Sequence, residues 1–294
     1  MDAACGSDNW EPVLALDGAG EVEAALLCCF HRKWGVRMII PAPLSPFSGI
    51  WFRPVHQPFK NYAETQRILD LTEQLISKLP LVAVFIQQYH FSFQNWLSYK
   101  WNGFRQTTRY TYFLSDLSNL DEVYQAFKGS TRTAIKKAEN SLIASCSDEA
   151  DILYEMVCSE LSVKGVKLPL KKSDFLKLDA VLQEQNSRKI YFAADEKGNR
   201  HAAVCVVWDT TTTYLLLTAV DRSFQNSTAL SFLIWRAIQD ASERGHSFDF
   251  EGSSLKKIEP FFRSFGGEAK PYYRITKAKN KMWDLLLHLS GKGI

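Results

Sequence analysis

Hydrophobic and polar positions in the C-terminal half of the chain follow first a strand period and then a helix period. Segments rich in β-branched and aromatic residues, separated by turn sequences, predict three successive strands. Apolar residues then recur three and four positions apart, which predicts a helix that stops at Gly245. The predicted elements are strands at 189–195, 201–209, 212–220, 248–251 and 269–277 and helices at 227–243 and 258–265.

The first third of the chain repeats this order of elements. Two strands joined by a turn at 17–20 precede an amphipathic helix that ends at Pro80, and an apolar strand follows directly. A short aromatic helix with Gly103 and a further strand then echo the end of the chain. The chain is therefore predicted to contain two copies of one α/β unit. The predicted elements are strands at 10–16, 22–30, 81–87 and 109–114 and helices at 65–79 and 96–104.

A long insertion at 41–58 distinguishes the first copy. It holds five of the ten prolines in the chain together with Trp51 and Phe52. This composition predicts a stiff, ordered loop. Two interpretations stay open: the loop covers a cleft, or its role is structural.

Two carboxylates end the strand that follows the long helix of the second copy. The segment 248–252 reads FDFEG, and strand side chains alternate between the two faces of a sheet. We therefore expect Asp249 and Glu251 on one face, with Asp249 raising the pKa of Glu251. The corresponding segment of the first copy, 85–89, reads FIQQY and has no acid. Chemistry that needs paired carboxylates is thus predicted for the second copy.

Three motifs in order suggest a family. They are PLSPFSG at 43–49, STRTAIKKA at 130–138, and FDFEGS at 248–253 followed by FFRSFGG at 261–267.

Together with the repeat, these motifs resemble the Fem family, tandem GNAT-like aminoacyltransferases of peptidoglycan bridge synthesis. The resemblance implies an α/β protein of two tandem GNAT-like domains with mixed, largely antiparallel sheets. It implies domains at 1–108 and 109–278, the second carrying the site, and a helical tail at 279–294.

The resemblance also implies a site for acetyl-CoA or another acyl-CoA at the start of the long helix. GNAT enzymes cradle the coenzyme A pyrophosphate with the motif R/Q-x-x-G-x-G/A. Here Gln225, Asn226, Ser227, Thr228 and Ala229 take its place, with hydroxyl side chains where glycine would let phosphate approach the backbone. Free N–H groups at a helix N-terminus still favour an anion, so we expect a donor site here. Plain helix capping is the alternative.

A basic ridge on the predicted helix at 130–141 is a second candidate for cofactor binding. Arg132 and Lys136 are four residues apart and share one helical face. We expect this ridge to receive phosphates of coenzyme A or of tRNA. A solvated helix face is the alternative.

Acyl transfer to an amine needs a base for the amine and an acid for the leaving group. Glu251 is expected to be the base, with Asp249 beside it. Tyr272 or Tyr273, at the start of the last strand, is expected to protonate the leaving group. The alternatives are ion pairing of the acids with neighbouring cations and simple packing of the tyrosines.

These expectations define an acyltransferase that moves an acyl group from acyl-CoA to an amine on a small molecule or a cell-wall precursor. Two rivals stay open. One is a degenerate GNAT-like binding module without catalysis, and the other is a tRNA-dependent aminoacyltransferase of the cell-wall bridge type.

Composition restricts the remaining possibilities. The 294 residues are 46% hydrophobic, and the net charge of +3 is too small to indicate a dedicated nucleic-acid binder. The six cysteines and six histidines show no metal-ligand spacing, so no metal cofactor is expected. Without an apolar run of membrane length, the sequence predicts a cytoplasmic protein.

Overall fold

The computed structural model of the protein describes residues 1–33, 35–45, 47–54, 61–224, 228–252 and 256–289. Its strands are β1 Trp10–Leu16, β2 Val22–Lys33, β3 Val36–Ile39, β4 Ile50–Phe52, β5 Val84–Tyr89, β6 Arg105–Leu114, β7 Ile143–Cys146, β8 Arg188–Ala194, β9 Arg200–Trp208, β10 Thr212–Val220, β11 Ser247–Asp249 and β12 Glu268–Ala278. Its helices are α1 Asp2–Cys5, α2 Asn61–Ser77, α3 Leu97–Trp101, α4 Leu120–Ala126, α5 Gly129–Glu139, α6 Ala150–Val163, α7 Lys172–Glu184, α8 Thr228–Glu243, α9 Glu259–Arg263 and α10 Lys281–Leu289.

The predicted repeat of element types is confirmed in both parts of the chain, with shifts at the boundaries. β5 begins at Val84, because Leu81 is almost fully exposed and lies outside the strand. The proline-rich insertion contains β4, which pairs with β2 in antiparallel register. Sequence patterns did not reveal β3, β7, α4, α6 and α7.

Contacts divide the chain into two compact units, Met1–Arg109 with Pro271–Ile294, and Tyr110–Lys270. In the first unit the strands follow the order β1-β2-β3-β5-β12. β3 and β5 are parallel, and the other pairs are antiparallel. The core forms where α2 packs its apolar stripe, including Leu71 and Leu75, against Phe85 and Ile275 of the sheet. The fully buried Leu75 marks the centre of this interface.

In the second unit the strands follow the order β6-β11-β10-β9-β8-β7. β10 and β11 are parallel, whereas the remaining pairs are antiparallel. Helix α8 is buried along most of its length because Leu233, Ile234, Ala237 and Ile238 pack into the core. The expectation of mixed, largely antiparallel sheets is confirmed.

The chain passes between the units in two strands. β6 begins in the first unit and pairs with β11 in the second, and β12 begins in the second unit and pairs with β5 in the first. β6 follows the first repeat in sequence but pairs within the second unit, and β12 follows the second repeat but pairs within the first unit. The predicted domain limits of 1–108 and 109–278, with a tail at 279–294, remain a prediction. The compact units instead group residues 271–294 with the N-terminal segment.

The double glycine of the FFRSFGG motif allows close packing in the second unit. Gly266 has φ of 72°, and a Cβ atom there would lie 2.8 Å from the carbonyl oxygen of Ala126. At Gly267 a Cβ atom would lie 3.1 Å from the backbone nitrogen of Phe113. The turn between α9 and β12 therefore rests directly on the end of α4 and on β6.

We predict that Gly266→Ala lowers the free energy of unfolding by about 2–4 kcal/mol, because strain at positive φ adds to a clash with backbone atoms. Gly198→Ala is the matched control, since Gly198 also has positive φ, at 82°, but no atom lies within 4 Å of the added Cβ. That control is expected to lose only about 1–2 kcal/mol. Urea denaturation measures both, and equal losses would contradict the packing role of Gly266.

Candidate active site

The site begins with a carboxylate buried at the end of β11. Asp249 is fully buried and pairs with Tyr214 of β10 and Phe113 of β6. Its Oδ1 accepts hydrogen bonds from the Thr111 hydroxyl and, at 2.7 Å, from the backbone N–H of Glu251. Its Oδ2 is buried and has no hydrogen-bond partner among the described residues. The Oδ1 atom of Asp249 is thus held by two hydrogen bonds, whereas its Oδ2 atom accepts none from the described residues.

The backbone turns sharply after Asp249. β11 ends at this residue, and Glu251 has φ of 51°, which is rare for a residue other than glycine. The strand alternation from which a shared face was predicted therefore does not reach Glu251. A local turn closed by the Glu251 N–H to Asp249 hydrogen bond keeps the two acids together instead.

Gly252 holds this turn against β6. A Cβ atom there would lie 2.5 Å from the Cα atom of Thr111, so only glycine fits. Phe250, between the two acids, is buried in the core with its ring 5.0 Å from that of Phe248. The aromatic residues thus anchor the segment that carries the carboxylates.

Both acids have a raised pKa. Burial is the main cause for Asp249 and raises its pKa from 3.8 to about 6, although the bonds from Thr111 and Glu251 oppose the change. Burial and then the Asp249 charge raise the pKa of Glu251 well above its ordinary value. Two neighbouring carboxylates with raised pKa values are typical of proton-transfer sites.

Ion pairing does not account for these acids. Within the described ranges, neither Asp249 nor Glu251 forms a salt bridge, and Arg263 is paired with Glu259 at 2.8 Å. Metal binding is not indicated either, since no group of three or more His, Cys, Asp or Glu side chains converges in the parts of the chain that the structure covers.

The parallel pairing of β10 with β11 is short and ends at the carboxylates. β10 pairs with β11 over Thr212–Tyr214, and β10 continues to Val220 although β11 ends at Asp249. The pairing of β10 with β9 is irregular between Leu215 and Leu217, directly after the part of β10 that pairs with β11.

A groove of about 440 Å³ lies where β10 ends and α8 begins. Three helices, α5, α8 and α9, contribute its walls. It contains apolar residues from the sheet, α8 and α9 and polar residues from the start of α5. The lining residues include Val220, Leu230, Phe261, Lys128, Ser130 and Ala134.

The predicted donor residues lie at the start of α8. Gln225, Asn226 and Ser227 are outside the described residues. Thr228 is the first residue of the helix, and Ala229 is fully buried in the core.

The basic ridge on α5 has a different character from the one expected. Nη1 of Arg132 donates at 2.6 Å to the carbonyl oxygens of both Gln125 and Phe127, so this side chain caps the end of α4. Lys136 is exposed one turn further along. Lys128, which precedes α5 and lines the groove, was not identified from the sequence. The only sequence feature that could have identified Lys128 is its position shortly before the STR motif.

The two candidate tyrosines belong to the first unit, whereas both carboxylates belong to the second. Tyr272 is buried, and its ring contacts that of Phe47 at 5.0 Å. Tyr273 faces the α2 side and packs on the core of the first unit. The opposite orientation of the two residues agrees with the strand period.

A second groove, of about 640 Å³, was not predicted and lies at the α6–α7 connection. Its lining is largely apolar and comes from Tyr154 and Cys158 of α6 and from residues 165–171. The helices on each side of this connection were not predicted from the sequence. The apolar stripe of Leu153 and Val157 in α6 was the available signal.

The sequence and the fold were compared with protein families and solved structures. Residues 125–263 match the family model of the acetyltransferase (GNAT) domain. No curated protein sequence matches the chain. Among solved structures, FemX is similar with a TM-score of 0.64 and 13% identity over 96% of this chain and 90% of that chain.

Two further solved structures are similar over most of their length. L-PGS from Bacillus licheniformis has a TM-score of 0.57 and 12% identity over 97% of this chain and 89% of its own. A tandem GNAT protein from the clavulanic acid biosynthesis pathway has a TM-score of 0.50 and 11% identity over 90% and 81%.

Residues 125–263 are therefore similar to a GNAT acetyltransferase domain. The fold of the chain as a whole is that of Fem-like tandem GNAT proteins, as the sequence motifs predicted. None of the helices in the described ranges is long and apolar enough to span a membrane.

We predict that the Asp249 carboxylate makes stability fall as pH rises. Because its pKa increases from 3.8 to about 6 on folding, the native state binds the proton more tightly, and stability is lost between these values. Asp249→Asn removes this loss. The variant should therefore gain about 3 kcal/mol relative to the wild type between pH 4 and pH 6.

Asp240→Asn is the control of opposite sign. Burial opposes ionisation of Asp240, but bonds from Lys189 and Tyr191 lower its pKa below the ordinary value, so this variant should lose stability relative to the wild type as pH rises. Denaturant titrations across the pH range measure both differences. A pH-independent difference for Asp249→Asn would rule out a raised pKa.

Proposed function

We propose that the protein is an N-acyltransferase that moves an acyl group from acyl-CoA to an amine, with Glu251 as the general base. The observation that supports it is a pair of carboxylates, at the end of the β10–β11 pairing, that form no ion pair with any described residue. Acyl transfer to an amine requires such a base, since the amine is protonated at neutral pH.

The two acids have different roles in this proposal. Asp249 is immobile, because the Thr111 hydroxyl and the Glu251 N–H hold one of its oxygens. Glu251 is only partly buried and its side chain is free of salt bridges to described residues, so it is the acid that can reach an acceptor. Burial and then the Asp249 charge keep the pKa of Glu251 high, which makes Glu251 a stronger base once it is ionised.

The donor is proposed to bind in the groove at the start of α8. Coenzyme A would be held by the part of β10 that continues beyond its pairing with β11 and by the residues of α5, α8 and α9 that line the groove. Lys128 supplies a positive charge, and the N-termini of α5 and α8 supply N–H groups suited to phosphate. Bound acyl-CoA would supply the acyl group as an activated thioester.

The acceptor is proposed to enter from the α6–α7 side. The groove there is large enough for a small molecule, and its apolar lining with Lys167 and Lys171 at the edge fits an acceptor with an apolar body and an acidic group. A small molecule and a cell-wall precursor both satisfy this chemistry.

We predict that Glu251→Gln lowers turnover by ~10²–10⁴-fold while the fold and coenzyme A binding are kept. The amide has nearly the same shape but cannot accept the proton. The control is Glu243→Gln, since Glu243 is exposed at the end of α8 and should leave the rate unchanged. Turnover is measured with acetyl-CoA and a panel of amines, and full activity of Glu251→Gln would refute the assignment.

Asp249→Asn should move the pH profile of the same reaction. The rate of the wild type should rise with pH as Glu251 ionises, at a pH above the ordinary range of a glutamate because its pKa is raised. Loss of the Asp249 charge lowers the pKa of Glu251, so the rising limb of the profile should shift to lower pH. A rate that falls at every pH without a shift would instead indicate a purely structural aspartate.

We predict that Ala134→Trp abolishes coenzyme A binding, because the indole fills the groove beside α8. Lys137→Trp is the matched control, since Lys137 is exposed on the same helix and does not line the groove. Isothermal titration with coenzyme A measures both variants. Equal affinity for the two variants would contradict this donor site, and binding without turnover on any amine would favour a binding module.

A further inference from the structure

One sheet face in the first unit changes from apolar to polar along its strands. β5 and β12 pair in antiparallel register, so that Val84 faces Ala278 and Ile86 faces Thr276. This end of the face is covered by Leu287 of α10, which packs on Val84 and Ile86. The covered half is an ordinary hydrophobic interface.

The next position along the same face is Arg274, which pairs with Gln88. Tyr272 follows on the same face because strand side chains repeat every second residue. The ring of Phe47, from the proline-rich insertion, lies 5.0 Å from the ring of Tyr272. Phe47 therefore packs beside the polar half of this face.

A second arginine faces this region from the neighbouring strand. Arg109 lies on β6, which is adjacent to β12. The Nε atoms of Arg109 and Arg274 are both buried and have no hydrogen-bond partner among the described residues, as is true of the Thr107 hydroxyl two residues before Arg109. Neither guanidinium forms a salt bridge with a carboxylate in the described ranges.

This arrangement is electrostatically unfavourable. Burial and the nearby charge of Arg109 lower the pKa of Arg274 to about 10. Charges that are withdrawn from water in proteins are normally paired with an opposite charge. Two adjacent cations without a carboxylate partner among the described residues therefore favour an anionic ligand.

We propose that Arg109 and Arg274 bind the phosphate group of a small phosphorylated ligand on the polar half of this sheet face, beside Phe47. A phosphate monoester carries about two negative charges at neutral pH and so balances both guanidiniums, whereas one carboxylate balances only one. Guanidinium groups also match phosphate oxygens in geometry, and the Thr107 hydroxyl is placed to donate a further bond. This site is separate from the donor and base assigned to the second unit.

The test is a titration with inorganic phosphate followed by ³¹P NMR at constant ionic strength. Arg274→Gln and Arg109→Gln should each weaken phosphate binding by at least ~10-fold, as loss of a charge-assisted hydrogen bond does. Lys279→Gln is the matched control, because Lys279 is exposed in the same unit and its removal changes the net charge equally. It should keep the affinity within about twofold.

Three further measurements make the outcome decisive. Acetate should bind at least ~10-fold more weakly than phosphate, because a carboxylate leaves one cation unbalanced. Arg274→Gln should keep or raise the free energy of unfolding, since a like charge is removed and no partner is lost. Glu251→Gln should keep phosphate affinity, which separates this site from the acyltransferase assignment.

The proposal is overturned if the wild type does not bind phosphate, or if both arginine variants bind it as well as Lys279→Gln does. Marked unfolding of both variants would also overturn it, because the arginines would then be structural. Equal affinity for acetate and phosphate would contradict the proposed phosphate ligand and would indicate a carboxylate ligand instead.

Discussion

Burial of the Asp249 carboxylate is the constraint on which the second unit depends. An ionised group without a cation in a protein interior is unfavourable, and among the described residues the Thr111 hydroxyl and one backbone N–H compensate for it. An apolar residue at this position would stabilise the sheet more. The acid is tolerated because its pKa rises towards neutrality, which is also the property that a proton-transfer site requires.

The backbone around Asp249 is shaped by the same constraint. Glu251 can donate its N–H to the carboxylate only because its φ is positive, and this turn in turn needs Gly252 where the chain passes over β6. Strain of this kind, of order 1–3 kcal/mol per residue, persists only when the surrounding packing fixes it. Phe248 and Phe250 provide that packing from the core, so the alternation of aromatic and acidic residues serves both stability and the site.

Sequence patterns were sufficient for the repeat and for the elements with strong periodicity, such as α2, α8 and the strands β8 to β10. They failed where local conformation departs from a period, as at Glu251, because alternation cannot foresee a left-handed residue. Sequence patterns also failed where a side chain donates hydrogen bonds to the backbone of another element. Arg132 looks like a phosphate ligand on a helical wheel, yet its guanidinium is bound to the carbonyl oxygens at the end of α4. The arginine pair Arg109 and Arg274 joins segments far apart in sequence, so only the strand order could reveal it.

The two units show how a repeated fold can separate charges. In the second unit the strand after the long helix ends in acids without cations, and in the first unit the equivalent strand ends in glutamines beside a strand that carries an arginine. Neither set of charges is neutralised by the described residues of its own unit. A like-charged cluster within one folded unit is selected against unless a ligand offsets its repulsion. The ligands proposed for the two units accordingly differ in chemistry, an amine beside the acids of the second unit and a phosphate beside the arginines of the first.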